Sequence, residues 1–236
     1  MSTPALRFPP LLSGEEVGED AFGHAVRRAT LGVDAGLVCY VLGASEVQAA
    51  VVLAPEVPLS QAMTMLPLCA VGFQNALGAL APPEVAVHLD WDGGVRVNGA
   101  SCGAFQAMAD TKDPAALPAW LVVGFTLPLL PQTEDPGDAP DTTSLFAEGC
   151  AEVHPPDLVE AWARHSLNWI ARWEDDGTRA LHAEWRGLAH GIGEDITLHG
   201  RSGTFLGVDE EFGMLLRDAG GETHLLPLTE VLKDAP

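Results

Sequence analysis

Residues 85–108 read VAVHLDWDGGVRVNGASCGAFQAM and place two tight turns between short apolar runs. Asp92-Gly93-Gly94 forms the first turn and Asn98-Gly99 the second. Asn-Gly favours a two-residue hairpin, because both central residues of that turn need a positive φ, which Asn and Gly tolerate. The pattern therefore predicts antiparallel strands over residues 85–89, 95–97 and 102–108.

Further strands and helices are predicted on both sides of these hairpins. Residues 120–127 (WLVVGFTL) extend the hairpins to an antiparallel meander, and residues 36–42 and 48–53 predict two earlier strands. Residues 21–29 predict a short helix. Together these patterns indicate strands and helices folded into one mixed α/β unit.

The most apolar stretch, residues 58–81, predicts a buried helix. Gln61, Pro67, Gln74 and Asn75 within it would be costly at the centre of a bilayer, which argues against a membrane span. Ser60 is the expected N-cap residue, and Pro67 the expected position of a kink or restart.

The last third of the chain changes from helices to strands. Tryptophans recur at helical spacing between Leu158 and Trp173, which predicts an amphipathic helix whose tryptophans are core residues. Asp175-Asp176-Gly177 is predicted to end this helix, and a second helix is predicted over residues 179–188. Four short strands follow, at residues 196–199, 204–208, 213–217 and 223–226. The segment 131–140, rich in Pro, Asp and Gly, predicts an exposed loop.

Composition excludes several classes of function. The formal net charge is -21, with 33 acidic against 12 basic residues, so phosphate backbones and anionic lipids are repelled. We expect no binding to nucleic acid or membranes. The 4 cysteines are scattered without CxxC spacing and there is no signal-peptide pattern, which favours reduced thiols and a cytoplasmic location.

Four stretches, in this order, resemble the biotin protein ligases of the biotin/lipoate protein ligase superfamily. Residues 55–80 resemble the family's helix after a strand and a proline. Residues 88–103 (HLDWDGGVRVNGASCG) lie where the family has Lys-Trp-Pro-Asn-Asp, then Asn-Gly, then a Lys before Ala-Gly-Ile. VVGFTL (122–127) resembles the family's Val-Val-Gly-Ile-Gly-Leu-Asn strand. The fourth comprises TTSL (142–145), the Trp-rich helix and Glu184-Trp185-Arg186, before closing strands within residues 207–216 and 221–228.

The resemblance implies an α+β fold, in which a mixed sheet flanked by helices precedes a small all-β barrel of the SH3-like kind. The implied domains are residues 1–186 and 187–236. In the family, the carboxylate of biotin or lipoate attacks the α-phosphate of ATP, and a carrier-protein lysine then displaces AMP. ATP and Mg²⁺ are therefore implied as cofactors only if ligase activity survives.

Three cationic devices of the family are missing from this sequence. Residues 43–46 (GASE) join two strands directly and leave no room for the family's Gly-Arg-Gly-Arg loop. His88 replaces the first lysine, and Ala100 or Ser101 the second. Because loss of one charge-stabilising donor typically costs about two to three orders of magnitude in rate, we expect impaired ligation.

The resemblance and the local chemistry together nominate nine site residues. The candidates for catalysis are His88, Asp92 and Cys102. The candidates for ligand binding are Asn98, Gly99, Ala100, Ser101, Gly103 and Gly124.

Three other interpretations stay open. His88, Asp90 and Asp92 alternate and would share one strand face, where they could hold a divalent metal, although a solvated polar edge is favoured. Cys102 could be an acyl-transfer nucleophile with His88 as its base, although an inert buried thiol is favoured. The protein could also bind an acyl ligand without catalysis.

The expected partners follow from the same resemblance. A small carboxylic acid such as biotin or lipoate is the expected ligand, and an acyl carrier domain is a possible protein partner. The acidity of this chain does not suit the similarly acidic biotin carrier domains.

Overall fold

The computed structural model describes residues 6–131, 141–198 and 200–234. Its strands are β1 (Ser13–Glu16), β2 (Leu37–Leu42), β3 (Glu46–Leu53), β4 (Val87–Leu89), β5 (Gly94–Val97), β6 (Ala100–Ala109), β7 (Leu121–Pro128), β8 (Asp195–Leu198), β9 (Arg201–Val208), β10 (Met214–Arg217) and β11 (Thr223–Leu226). Its α-helices are α1 (Ala21–Thr30), α2 (Leu59–Ala62), α3 (Met65–Leu80), α4 (Pro155–Asp176) and α5 (Arg179–Leu188). A 3-10 helix spans Leu228–Val231. The predicted loop 131–140 lies, except for Pro131, outside the described residues.

The first seven strands form one mixed sheet in the order β1-β2-β3-β7-β6-β5-β4. β1 and β2 are parallel, and every other neighbouring pair is antiparallel. The predicted meander β4-β5-β6-β7 is confirmed. Asn98 (φ 51) and Gly99 (φ 92) form its second turn with the positive φ values that the sequence predicts.

The two faces of this sheet are covered unequally. One face packs on α3 and α4 around an aromatic cluster of Phe73, Phe105, Phe125 and Trp162, in which Phe125 and Trp162 have ring centroids 5.0 Å apart. On the other face, α1 forms a smaller apolar cluster with residues of β2, β3, β6 and β7. That face is therefore covered near β2 but not over its whole width.

The long apolar stretch folds as two helices. The predicted interruption of the helix is confirmed, but it lies before Pro67 rather than at it. α2 ends at Ala62 and α3 begins at Met65, so the break precedes Pro67. Pro67 lies within the first turn of α3, where its missing N–H has no intrahelical acceptor to lose. The predicted cap is wrong: Ser60 lies inside α2, and Pro58 occupies the N-cap position without a side-chain hydrogen bond.

One described stretch, Leu59–Leu80, is apolar and long enough to cross a membrane, but 72% of its most apolar window is buried within the fold. α3 packs against both the sheet and α4. Gly72 permits the close helix crossing, because a Cβ there would lie 2.7 Å from the Ser166 Oγ. The expectation of a buried core helix is confirmed.

The tryptophans of α4 are only partly core residues. Trp162 is buried and its Nε1 donates to the Cys69 carbonyl at 3.1 Å. Trp169 and Trp173 are half-buried at the margin of the core, so the prediction holds fully for Trp162 alone among the three. Gly177 (φ 72) ends the helix at the position that the sequence indicates.

The last four strands form an antiparallel sheet in the order β11-β10-β9-β8. Phe212 anchors it to the rest of the protein: its carbonyl accepts from Trp91 Nε1 at 2.7 Å, and its ring lies edge-on to Trp185 at 6.0 Å. The α+β fold class is thus confirmed as a seven-stranded mixed sheet with a small four-stranded sheet at its C-terminal side. The domain boundary near Gly187 and the SH3-like nature of the small sheet stay predictions.

Candidate functional site

The uncovered part of the large sheet is the strongest candidate site. Val87, Leu89, Val95 and Val97 face the α3 and α4 core, so the residues between them project to the other side. Cross-strand pairing extends this side through β6 and β7 to β3. We call it the open face; its side chains are those of Gln48, His88, Arg96, Ser101, Ala104, Gln106 and Thr126.

Exposure of Ala104 shows that this face is not covered by the described residues. Ala104 lies on β6, an interior strand, yet its side chain is exposed. Its cross-strand neighbours Gly94 and Thr126 are half-buried. A small residue on an interior strand with no lid among the described residues leaves room for a ligand.

One arginine lies on the open face, and its charge is already compensated. Arg96 Nε donates to the Asp90 carboxylate at 2.8 and 3.1 Å, and Arg96 Nη1 donates to the Gly99 carbonyl at 3.2 Å. The same carboxylate has a second neighbour: His190 Nδ1 lies 3.2 Å from Asp90 Oδ1. Asp90 therefore holds Arg96 against the sheet.

His88 faces Arg96 across the β4–β5 pair. Its Nδ1 is buried and has no hydrogen-bond partner among the described residues. A buried polar atom without a partner is unfavourable by about 1–3 kcal/mol, so the ring keeps an unused hydrogen-bonding capacity at this nitrogen. Of the candidates for catalysis, His88 is the one that the structure places on the open face.

The turn residues Asp92 and Asn98 have local structural roles. The Asp92 carboxylate lies 3.4 Å from the Gly94 amide within the first turn. Asn98 Oδ1 accepts from the Ala86 amide at 2.9 Å, and its Nδ2 donates to Glu148 at 2.7 Å. Asn98 and Gly99 are exposed at the turn, at the end of the strands. Their predicted role in ligand binding stays a prediction.

Ala100 and Ser101 begin β6, where a second segment joins the sheet. Ser101 donates its amide to the Asp141 carbonyl at 2.9 Å, and its carbonyl accepts from the Thr143 amide at 2.8 Å. The position where the family has a lysine is thus a strand residue with a short side chain, held by backbone pairing.

Gly103 and Gly124 are required by the sheet itself. Gly103 has φ +89, and a Cβ there would lie 2.2 Å from the Thr126 carbonyl oxygen. At Gly124 a Cβ would lie 2.6 Å from the Ala50 Cβ. Both glycines allow close strand contacts, which accounts for them whether or not a ligand touches them.

The structure separates Cys102 from His88. Cys102 lies in the α3 and α4 core, whereas His88 projects to the open face, so the two are on opposite sides of the sheet. Burial, together with Cys150 and Glu148, raises the pKa of the Cys102 thiol to about 12. Neither observation supports a thiolate nucleophile activated by His88.

The His88, Asp90 and Asp92 metal set is not assembled. In the described parts of the chain, the three side chains do not converge as a ligand cluster, and Asp90 is engaged by Arg96 and His190. The favoured interpretation, a polar strand edge next to a turn, fits this arrangement better.

The β2–β3 connection is as short as the sequence indicates. Leu42 pairs with Val47, so only residues 43–46 turn the chain, and Glu46 already belongs to β3. Glu46 accepts from Gln48 Nε2 at 2.6 Å, and Gln48 Oε1 accepts from the Ala21 amide at 2.9 Å. An acidic and an amide side chain therefore stand beside this hairpin.

Sequence reasoning missed Gln48, Gln106 and Thr126. Each is a polar residue within a mostly apolar strand, and the cross-strand pairs Gln48–Thr126 and Gln106–Gly124 place their side chains on the same side of the sheet. Period-two alternation would have shown that their side chains leave the core face. It would not have shown that they meet, because that depends on the strand order.

Comparison with known families and structures identifies relatives. A model described as "Biotin/lipoate A/B protein ligase family" matches residues 8–187, and one described as "Domain of unknown function (DUF4444)" matches residues 192–234. None of the curated proteins matches the sequence.

Three solved structures illustrate the range of similarity. A biotin protein ligase-like protein of unknown function from Silicibacter sp. TM1040 is 61% identical, with a TM-score of 0.92, covering 98% of this chain and 100% of that one. Biotin protein ligase from Aquifex aeolicus in complex with biotin and ATP is 16% identical, with a TM-score of 0.68 and coverage of 92% and 96%. An arginine-to-glycine mutant of that enzyme in complex with biotin is 14% identical, with a TM-score of 0.71 and coverage of 92% and 96%. The last two show similarity of fold.

Proposed function

Because the chain belongs to the biotin/lipoate A/B protein ligase family, we propose that its open face binds a small carboxylic acid of the biotin or lipoate class. We propose further that it does not support ordinary ATP-dependent ligation. The observation that carries the proposal is an accessible sheet face with a free buried nitrogen on His88 and one compensated cation on Arg96.

The chemistry of the open face suits such a ligand. Ala104 offers a small apolar surface, while Gln106 and Thr126 offer an amide and a hydroxyl for a polar head group. His88 Nδ1 supplies a donor or acceptor that has no partner among the described residues. A ligand that satisfies this nitrogen regains the hydrogen bond that folding leaves unmade.

The same face is poorly suited to adenylation. Attack of a carboxylate on the α-phosphate of ATP builds negative charge, which fixed cations or amides must stabilise. Asp90 compensates Arg96, and Glu46 adds a negative charge at the β2–β3 hairpin. Two of the family's lysine positions hold His88 and Ala100 or Ser101. The electrostatics of this face therefore disfavour activation of ATP.

A structure of similar fold is known with biotin bound after loss of an arginine. The Aquifex aeolicus mutant in which glycine replaces an arginine is described in complex with biotin. An arginine can thus be lost from a protein of this fold that is solved with biotin.

The four buried free cysteines are consistent with the proposed cytoplasmic location.

Two measurements test the proposal together. We expect biotin, lipoate or octanoate to raise the melting temperature without nucleotide, since a ligand at 100 times its Kd stabilises by about 2.7 kcal/mol. We expect no pyrophosphate release above background with ATP, Mg²⁺ and the same acids. His88→Ala should reduce the thermal shift, whereas His224→Ala, on the small sheet, should leave it unchanged.

The two halves of the proposal fail separately. Pyrophosphate release that depends on one of the acids would disprove the loss of ligation and would make ATP and Mg²⁺ cofactors, with a carrier-domain lysine as the acceptor. Absence of a thermal shift with all three acids would instead disprove ligand binding.

A further inference from the structure

A second cluster of polar side chains lies near the other edge of the large sheet, where α1 packs over β1 and β2. Glu15 and Cys39 are cross-strand partners in the parallel β1–β2 pair, so their side chains leave the same face of the sheet. Cys39 belongs to the apolar cluster beneath α1, which places that face under the helix. His24 and Arg28 stand one turn apart on α1.

The donor atoms of three of these residues converge. A carboxylate oxygen of Glu15, a ring nitrogen of His24 and the Cys39 Sγ all lie within 4.8 Å of one another, and His24 Nε2 is 3.0 Å from Glu15 Oε1. Donors on a tetrahedral zinc ion are roughly 3.3–3.8 Å apart, given bonds of about 2.0–2.3 Å. The 4.8 Å limit on the separations within the cluster is thus about 1 Å above that range.

The cluster is partly exposed to solvent at Glu15 and His24 and buried at Cys39. The side chains of Glu15 and His24 are 32% and 28% exposed, whereas Cys39 is fully buried. The carboxylate and the imidazole therefore face solvent, and the sulfur lies at the base of the cluster.

Arg28 prepares the carboxylate for coordination. Its Nη1 pairs with Glu15 Oε2, which leaves Oε1 directed towards His24 and the cluster. A hydrogen-bonded outer residue that orients a ligating carboxylate is a regular feature of metal sites. Arg28 also offsets one negative charge, so we expect weaker binding than at a site with four thiolates.

We propose that Glu15, His24 and Cys39 bind one zinc-class divalent cation, with water in the fourth position. Sulfur, imidazole nitrogen and carboxylate oxygen are the donor types that zinc takes, and three protein ligands plus water leave the site open. The thiol proton leaves to solvent as the metal–sulfur bond forms. The ion would fasten the four-residue strand β1 to α1 and β2. This site is independent of the open face.

Cobalt substitution tests the proposal, because only a cobalt–thiolate bond gives a charge-transfer band in the near ultraviolet. The full chain, stripped with a chelator, is titrated with Co²⁺. We expect the band to saturate at one equivalent and to disappear when Zn²⁺ is added. Cys39→Ala should abolish the band, and His24→Gln should weaken cobalt binding at least tenfold.

The chain supplies its own matched control. Asp218, Glu222 and His224 form a second cluster of possible ligands on the small sheet, but without sulfur. His224→Ala should leave both the band and its stoichiometry unchanged. Glu15 and His24 are partly exposed, so Glu15→Gln and His24→Gln test the site even if Cys39→Ala does not fold. A band that persists in Cys39→Ala, or cobalt binding by the wild type without a band, overturns the proposal, as does unchanged binding in both partly exposed variants.

Discussion

Asp90 and Arg96 hold each other across the β4–β5 hairpin, and this pair sets the electrostatics of the open face. Arg96 projects from the open face, on the side of the sheet opposite Val95 and Val97 in the core. Its guanidinium is bonded to the Asp90 carboxylate, which His190 also contacts. The charge on this face is thus nearly neutral rather than positive.

Removal of the Asp90 charge should strengthen binding of an anionic ligand. We expect Asp90→Asn to lower the Kd for biotin or lipoate by roughly tenfold, about 1.4 kcal/mol, because Arg96 becomes free to pair with the ligand carboxylate. Isothermal titration at low and high salt measures this, and the gain should shrink as salt screens the pair.

Arg96→Gln should weaken the same binding, and Asp218→Asn, a charge change on the small sheet, should not alter it. Unchanged or weaker binding by Asp90→Asn would show that Arg96 does not contact the carboxylate.

At the scale of strands, β7 lies inside the sheet between β3 and β6 and contributes residues to both faces. Its odd-numbered residues fill the α3 and α4 core, while Gly124 and Thr126 lie on the other side. Gly124 brings β3 and β7 together at Ala49 and Ala50. The sheet therefore has no space for a larger residue at this position.

Gly124→Ala should destabilise the protein by about 1–3 kcal/mol, because the new methyl group would overlap Ala50 and force the strands apart. Urea unfolding followed by circular dichroism measures the change. Gly187→Ala is the matched control: nothing lies within 4 Å of a Cβ there, and alanine favours helix α5 by up to about 1 kcal/mol. Equal stability of the two variants would contradict this account of β7.

At the scale of the whole molecule, buried thiols couple stability to pH. Burial raises the pKa of Cys69 and Cys102 to about 12 and, with Glu15, that of Cys39 to about 11. Thiols in the unfolded chain titrate near pH 8.5. As the pH rises, the unfolded state therefore loses these protons before the folded state does. Each thiol's contribution to the free energy of unfolding is complete below about pH 8.5. It is lost as the pH rises towards the pKa of the thiol in the folded state.

We expect the free energy of unfolding to fall between pH 7 and pH 10, as measured by urea unfolding at each pH. Tyr40, whose pKa burial also raises, contributes in the same direction. Cys69→Ala removes one of the titrating thiols, so its stability should fall less steeply with pH than that of the wild type. Parallel pH profiles for the two proteins would refute the assignment.

The sequence predicted the elements well because their signals are local. Asn98-Gly99 specified a turn, Gly177 ended a helix, and apolar runs located ten of the strands within a few residues. The prediction of Ser60 as a helix cap failed for a local reason too: Pro58, two residues earlier, already starts the helix. The order of these elements then carried the resemblance to the family.

The sequence by itself thus determined every described strand except β1, the turns, the shortness of the β2–β3 connection and the deficit of positive charge. Only the tertiary structure decided that His88 and Cys102 lie on opposite faces, that Arg96 is bound by Asp90 and His190, and that Glu15, His24 and Cys39 meet. The physical reason is distance along the chain. Turn and helix signals act over a few residues, whereas these contacts depend on strand order, register and the packing of α1, which no local pattern encodes.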